Sequence, residues 1–206
     1  MQIEAITNQV AGENTYFIYN KENLLIIDPG SDVEKIIDAI RRINRKPVAI
    51  LLTHTHYDHI VGLELIRKKY EIPVYVSPLE QEWLTNPQHN GSLNNPFVPD
   101  IYAKPAEFEF ELRDYELGGM TFSVVATPGH SIGSLSFVFE DFVVVGDALF
   151  KGSIGRTDLY SGDLGQLLAS ITENLFSLPR ELPAYPGHGE ATTIGHEIDT
   201  NPFFNN

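Results

Sequence analysis

Four short segments of the chain carry side chains able to bind metals, and each follows an apolar run. They are Thr53-His54-Thr55-His56-Tyr57-Asp58-His59, Thr127-Pro128-Gly129-His130, Val145-Gly146-Asp147 and Pro186-Gly187-His188-Gly189. The first packs three histidines and one aspartate into the six positions from His54 to His59, and each of the others adds one donor. Five imidazoles and two carboxylates suffice for two cations side by side. Such donors suit zinc, iron, manganese or cobalt without choosing among them. They also leave coordination positions open for water. Two ions about 3.5–4 Å apart can share a hydroxide and lower the pKa of the parent water toward about 7. The predicted chemistry is metal-assisted hydrolysis, with Asp147 expected to bridge the ions.

Each residue also has a plainer reading. Asp58 can cap the helix that follows it. His130, Asp147 and His188 sit beside glycine and can be turn residues. Three histidines within six positions after a buried strand are rarely structural, and that combination favours metal binding.

The elements that must position these side chains can be read from periodicity. Residues 16–19 and 24–27 read as strands joined by a hairpin turn at Asn20-Lys21-Glu22-Asn23. A helix fits Val33–Ile43, with Ile36, Ile37, Ile40 and Ile43 on one face and Ser31 or Asp32 as its cap. Residues 48–52 form a continuous apolar run, as in a strand covered on both faces. A second helix is expected over 60–69, a short strand over 73–76 and a short helix over 78–84. Residues 86–105 hold four prolines and show no period, which predicts a long surface loop or lid. Strands are expected at 108–110, 115–117, 121–126, 134–139, 142–145 and 182–185. Helices are expected at 163–176 and 193–199. Two successive halves, each running strands then a helix, suit an α/β class with two packed sheets and helices outside. One domain over 1–206 is the expected count.

The chain has 206 residues, 42% of them hydrophobic, which fits a globular protein able to bury a core without staples. Lys and Arg number 14 against 28 Asp and Glu, for a net charge of -14. That balance repels phosphate backbones and argues against nucleic-acid partners. There are no cysteines, so disulfides and thiolate metal sites are excluded. Neither a secretory signal nor an apolar run of about 20 residues is visible, so a cytoplasmic protein without a membrane span is expected.

The run His54-Thr55-His56-Tyr57-Asp58-His59, followed in order by His130, Asp147 and His188, resembles the metallo-β-lactamase superfamily. That resemblance implies a four-layer αβ/βα sandwich with metals at one edge of the sheets. It implies that His54, His56 and His130 hold a first ion. Asp58, His59 and His188 would then hold a second, with Asp147 between them. Asp28 would support a ligand from behind. Within the superfamily, Gly146-Asp147-Ala148-Leu149-Phe150, Gly152 to Leu159 and Asn201-Pro202-Phe203 are most similar to short bacterial glyoxalase II-like hydrolases. The implied cofactor is a pair of divalent ions, zinc first, with iron or manganese as alternatives. The implied substrate is an acyl thioester such as S-lactoylglutathione. Arg156, Lys151 and Tyr160 are candidate substrate contacts, and Asp58 is the candidate for orienting the nucleophile. Longer relatives carry a helical domain that helps bind glutathione, and this chain stops at Asn206, so glutathione recognition is the open part of the reading.

Other readings are a single-iron persulfide dioxygenase, a lactonase or β-lactamase on the same metal pair, and a metal-binding module without catalysis. His89 and His196 are expected to be ordinary exposed histidines, Trp83 a packing residue, and Phe203 and Phe204 anchors of the C-terminal tail.

Overall fold

In a computed structural model describing residues 1–205, the chain divides into two units. The first comprises residues 1–110 and 116–120, the second residues 111–115 and 121 onward.

The expected hairpin is at the centre of the first unit. Strand β1 (Gln2–Thr7) pairs antiparallel with β2 (Asn14–Tyr19), which turns back into β3 (Asn23–Ile27). The turn is closed by Asn20, whose Oδ1 accepts from the N–H groups of Glu22 and Asn23 at 2.9 and 2.8 Å. Helix α1 (Val33–Ile43) buries Ile36, Ile37, Ala39, Ile40 and Ile43, and ends on left-handed Asn44, whose N–H returns to Ile40 O. Asp32 takes the N-cap position, but its carboxylate binds Lys35 Nζ rather than a helix N–H. The crossover lets β4 (Lys46–Leu51) pair parallel with β3, as a helical connection permits.

One uninterrupted helix over 60–69 does not form. Instead α2 (Tyr57–Ile60) and α3 (Leu63–Tyr70) are separated at Val61 and Gly62. At the break the Gly62 N–H bonds outside the helix. Gly62 donates to Pro29 O at 2.9 Å, and a Cβ there would meet Gly30 O at 2.4 Å. Strand β5 (Val74–Val76) follows, then a 3-10 turn over Gln81–Thr85, then β6 (Phe108–Glu109). Together these strands make a mixed six-stranded sheet in the order β1-β2-β3-β4-β5-β6. Its core contains Phe17, Leu24, Ile26, Ile50 and Leu52 with Ile36 and Ile40 of α1. Truncating one such side chain costs about 2–5 kcal/mol, so the strand ends are firmly placed.

Residues 86–105 form the expected long loop without helix or strand, mostly at the surface and anchored at points along it. Asn90 is fully buried, and its Nδ2 donates to the carbonyls of Trp83 and Ile101 at 3.0 and 3.1 Å. Ala103 N–H adds a bond to Leu84 O.

The second sheet has the order β14-β13-β10-β9-β8-β7. Its strands are β7 (Asp114–Leu117), β8 (Met120–Ala126), β9 (Leu135–Val138), β10 (Val143–Gly146), β13 (Pro183–Pro186) and β14 (Thr192–Thr193). Between β10 and β13 lie a small hairpin, β11 (Leu149–Phe150) with β12 (Ser153–Ile154), and helix α4 (Leu164–Ser170). Asp163 caps α4 by accepting from Gln166 N–H, and the helix continues as a π turn over Ile171–Leu175. Helix α5 (Ile194–Thr200) is capped by Thr193. Leu167, Ile171 and Leu175 pack with Val143, Val145 and Ala184 in this unit's core. Phe204 docks on Phe176 with ring centroids 4.7 Å apart, whereas Phe203 is exposed. Among the described residues no helix is long and apolar enough to cross a membrane.

Candidate metal centre

In the first unit the donors lie where β4 ends. β3 and β4 are parallel neighbours, so Asp28 and Thr53, each just beyond its strand, emerge side by side. Asp28 adopts φ +50, a backbone region that side-chain-bearing residues seldom occupy, Asp and Asn more often than most. Its carboxylate grips Thr53 twice, Oδ1 accepting the backbone N–H at 2.8 Å and Oδ2 the hydroxyl at 2.6 Å. Two residues on, Thr55 is gripped in the same way by buried Glu80, whose Oε2 accepts its N–H at 2.7 Å and its hydroxyl at 2.9 Å. Two further on, Tyr57 N–H binds Asn90 O at 2.8 Å. The odd positions 53, 55 and 57 are therefore held, while the even positions carry His54, His56 and Asp58. Asp58 does not cap α2: His56 occupies the N-cap position, and Asp58 lies inside the first turn.

Hydrogen-bond roles fix the imidazole tautomers. Asp28 Oδ2 lies 2.9 Å from His59 Nδ1, and a carboxylate can only accept, so Nδ1 carries the proton. Thr53 spends its one hydroxyl proton on Asp28. Its oxygen, 3.0 Å from His54 Nδ1, must therefore accept from that ring. Both rings are left with the lone pair on Nε2, which is how metal-binding histidines are prepared by partners behind them. The His54 ring lies 4.8 Å from His56 and 4.1 Å from His59, centroid to centroid. Ligand atoms of Asp28, His54 and His59 lie within 4.8 Å of one another. Asp58 Oδ2 is 3.8 Å from His59 Nε2. Buried Glu13 stands further back, with Oε1 4.0 Å from His59 Nδ1 and Oε2 accepting from Asn8.

The second unit gathers His130, Asp147 and His188. Asp147 and His188 follow the parallel strands β10 and β13, whose register shifts between Val144 and Gly146 and whose ends are tied by a bond from Gly187 N–H to Gly146 O at 2.8 Å. His130 follows β8 in a turn that needs glycine. Gly129 has φ +127, and a Cβ there would lie 2.3 Å from Leu167 N. His130 Nδ1 lies 2.8 Å from the carbonyl of Arg156, an acceptor only, so its lone pair is also on Nε2. One oxygen, Asp147 Oδ2, faces His130 Nε2 at 3.5 Å and His188 Nε2 at 3.3 Å. A carboxylate oxygen between two imidazole nitrogens suits a shared ligand. His188 is also set edge-on to Phe150.

The candidate substrate contacts lie in this unit. Arg156 makes a bidentate pair with Asp158, both bonds at 2.7 Å and both side chains exposed. This guanidinium holds the Asp158 carboxyl well below its usual range, at about 2. Lys151, at the tip of the β11–β12 hairpin, pairs with exposed Glu190 at 2.6 Å. Tyr160 is exposed.

His89 is half-buried, not exposed as expected, and is 3.2 Å from Asn86 Nδ2. His196 is exposed. Trp83 packs as expected, with its ring 6.3 Å from that of His56.

The donor set is nitrogen and carboxylate oxygen, with three imidazoles held in the lone-pair-forward tautomer. It fits divalent zinc, iron or manganese. A family model, the metallo-beta-lactamase superfamily, matches residues 9–188. The chain belongs to this superfamily. It has the metallo-β-lactamase fold, with two mixed sheets and helices, and a BLEG-1 B3 metallo-β-lactamase crystal structure superposes with a TM-score of 0.95 at 42% identity, covering 100% of both chains. A second structure, TTHA1623 in a di-iron-bound form, gives a TM-score of 0.86 at 34% identity, covering 97% of this chain and 99% of that one. A protein named as a probable metallo-hydrolase from Streptococcus pyogenes serotype M6 is 47% identical over 99% of this chain and 90% of its own length. The hydroxyacylglutathione hydrolase GloC of Haemophilus influenzae is 33% identical over 100% of this chain and 99% of its own. These relatives class the chain as a metal-dependent hydrolase of the superfamily, and its His/Asp clusters are consistent with a binuclear centre.

Sequence reasoning missed Glu80, Glu13 and Asn90. Thr53 and Thr55, alternating with the histidines, were the only local hint that something grips the segment from behind.

Proposed function

We propose that the chain hydrolyses acyl thioesters, an acylglutathione or a related acyl thiol, on a pair of divalent cations. His54, His56 and His130 are one group of possible ligands, and Asp58, His59 and His188 another. Asp147 is the shared ligand in this reading. The observation that carries the hydrolytic part is the tautomer-setting partner behind His54, His59 and His130. Such partners orient an imidazole toward a cation and raise its basicity.

Bound there, two cations would supply hydroxide near neutral pH and an electrophile for the thioester carbonyl. Asp58 would accept a hydrogen bond from that hydroxide and hold it in line. A thiolate leaves readily, so no acid from the protein is needed at the leaving sulfur. The thiol part would meet the surface of Arg156, Lys151 and Tyr160. Arg156 and Lys151 each pair with an exposed acid, a weak arrangement that a carboxylate of the substrate can replace. Support for glutathione comes from the Haemophilus relative, whose match extends over 99% of its length.

The likeness to BLEG-1 favours a second reading, β-lactam hydrolysis by the same residues. One panel decides between them. Protein loaded with zinc, iron(II) or manganese is assayed on S-lactoylglutathione, simpler acyl thiols, a lactone and a β-lactam. Thioester cleavage is expected, with His56→Ala and Asp147→Ala nearly inactive. A metal-loaded preparation that cleaves no acyl thiol overturns the proposal, and cleavage of the β-lactam alone establishes the second reading.

A further inference from the structure

Glu80 contributes no ligand and lies outside every motif of the sequence, yet it is completely buried. Burying a carboxylate costs several kcal/mol unless hydrogen bonds and nearby positive charge compensate. Both ends of its backbone are fixed. Its N–H binds Ser77 O at 3.0 Å, and its carbonyl accepts from Trp83 N–H at 3.0 Å as the 3-10 turn begins. The side chain reaches back to Thr55 and takes both of that residue's donors, the N–H and the hydroxyl. Thr55 stands between His54 and His56. With its amide and its side chain both clamped, the peptide group joining His54 to Thr55 cannot rotate without breaking a buried bond.

Asp28 does the same to Thr53, but it also touches His59 directly. The two clamps therefore differ in reach. Asp28 acts on His54 and His59, and Glu80 acts on the peptide that joins His54 to His56. From this we infer that Glu80 is a positioning residue for the cation held by His54 and His56, acting through Thr55 and selective for that ion over its neighbour. The inference rests on the two-cation reading above. One oxygen, Oε2, makes both bonds, so a glutamine whose carbonyl takes that place would keep them.

The test compares wild type, Glu80→Gln, Glu80→Ala and Thr55→Val. Each protein is loaded with zinc, dialysed against graded chelator and analysed for metal per chain. Cobalt-substituted samples give absorption spectra that report histidine coordination. Wild type is expected to hold two ions. Glu80→Ala is expected to hold one of the two about 10–100-fold more weakly, the range for losing a partner behind a ligand, and to keep the other. Its cobalt spectrum should change in the bands of one site. Glu80→Gln should stay close to wild type. Thr55→Val, which keeps the amide bond and loses the hydroxyl, should fall between; it carries the test if Glu80→Ala does not fold. Unchanged affinity for both ions in Glu80→Ala and Thr55→Val overturns the inference. So does equal weakening of both ions, or equal loss in Glu80→Gln and Glu80→Ala, which would make charge rather than position the cause. Wild-type protein that binds no cation overturns the two-cation reading itself, and the inference with it.

Discussion

A single carboxylate oxygen, Asp28 Oδ2, sits 2.9 Å from His59 Nδ1. It also takes the Thr53 hydroxyl, which in turn accepts from His54 Nδ1. One oxygen thus sets two imidazoles, one directly and one through a threonine. Asp28→Asn should disturb the segment, because its one acceptor oxygen can serve either the Thr53 N–H or the Oδ2 partners, not both, and its NH2 group then faces a donor. The expected result is a cation affinity about 10–100-fold lower, measured by chelator competition. The fold should change little, since asparagine tolerates the left-handed backbone at position 28. Asp28→Ala should lose the same affinity and also lower the melting temperature of the metal-free protein.

The tautomers themselves are measurable. In nitrogen-detected NMR of metal-free protein near pH 8, His54, His59 and His130 are expected to carry hydrogen on Nδ1. The His130 assignment is the sharpest, because a backbone carbonyl 2.8 Å away can do nothing but accept. A proton found on His130 Nε2 would contradict the proposed ligand role.

Two glycines of one region separate steric from conformational effects. A Cβ on Gly155 would lie 1.8 Å from Asp147 O, and that backbone cannot yield without moving Asp147. Gly155→Ala is expected to destabilise by about 1–3 kcal/mol or more in denaturant melts and to weaken metal binding. Gly152 has φ +70 and open space around it. Gly152→Ala should cost about 1 kcal/mol through backbone strain alone, with metal affinity unchanged.

The Arg156–Asp158 pair has a pH signature. Asp158 is depressed from 3.8 to about 2, chiefly by its hydrogen bonds to the Arg156 guanidinium. A carboxyl depressed by folding adds stability above its unfolded pKa and loses it as pH falls through the folded value. The contribution is therefore complete above about pH 4 and fades toward pH 2. Carbon-detected titration should place Asp158 near 2 in wild type and close to 3.8 in Arg156→Gln. A wild-type value near 3.8 would show that the pair does not persist in solution, leaving Arg156 more readily available to a substrate carboxylate.

Much of the fold was legible because burial imposes simple periods. The stripe Ile36, Ile37, Ile40 and Ile43 gave α1 its bounds, and residues 48–52 marked β4. Strand β1 was not legible, since it is largely exposed and has no run of buried positions to betray it. The break between α2 and α3 was hidden because the acceptor of the Gly62 N–H is Pro29 O, far away in sequence. The candidate donors announced themselves by residue type and spacing. Their supports did not, because Glu80, Glu13 and Asn90 carry no local pattern, and their roles arise only from what the chain folds against them. The long surface loop over 86–105 was legible from its prolines, but not that Asn90 within it is wholly enclosed.

The alternation of anchor residues and candidate donors along 53–58 makes segment length matter more than composition. Exchanging His56 or Asp58 for another donor leaves all three anchors in place, so the chemistry presented there can drift. Inserting or deleting one residue between Thr53 and Tyr57 puts imidazoles where the anchors close and threonines where the donors belong. Descendants of this chain can therefore retune their metal preference by point changes, whereas a single-codon gap inside this stretch would erase the centre at a stroke.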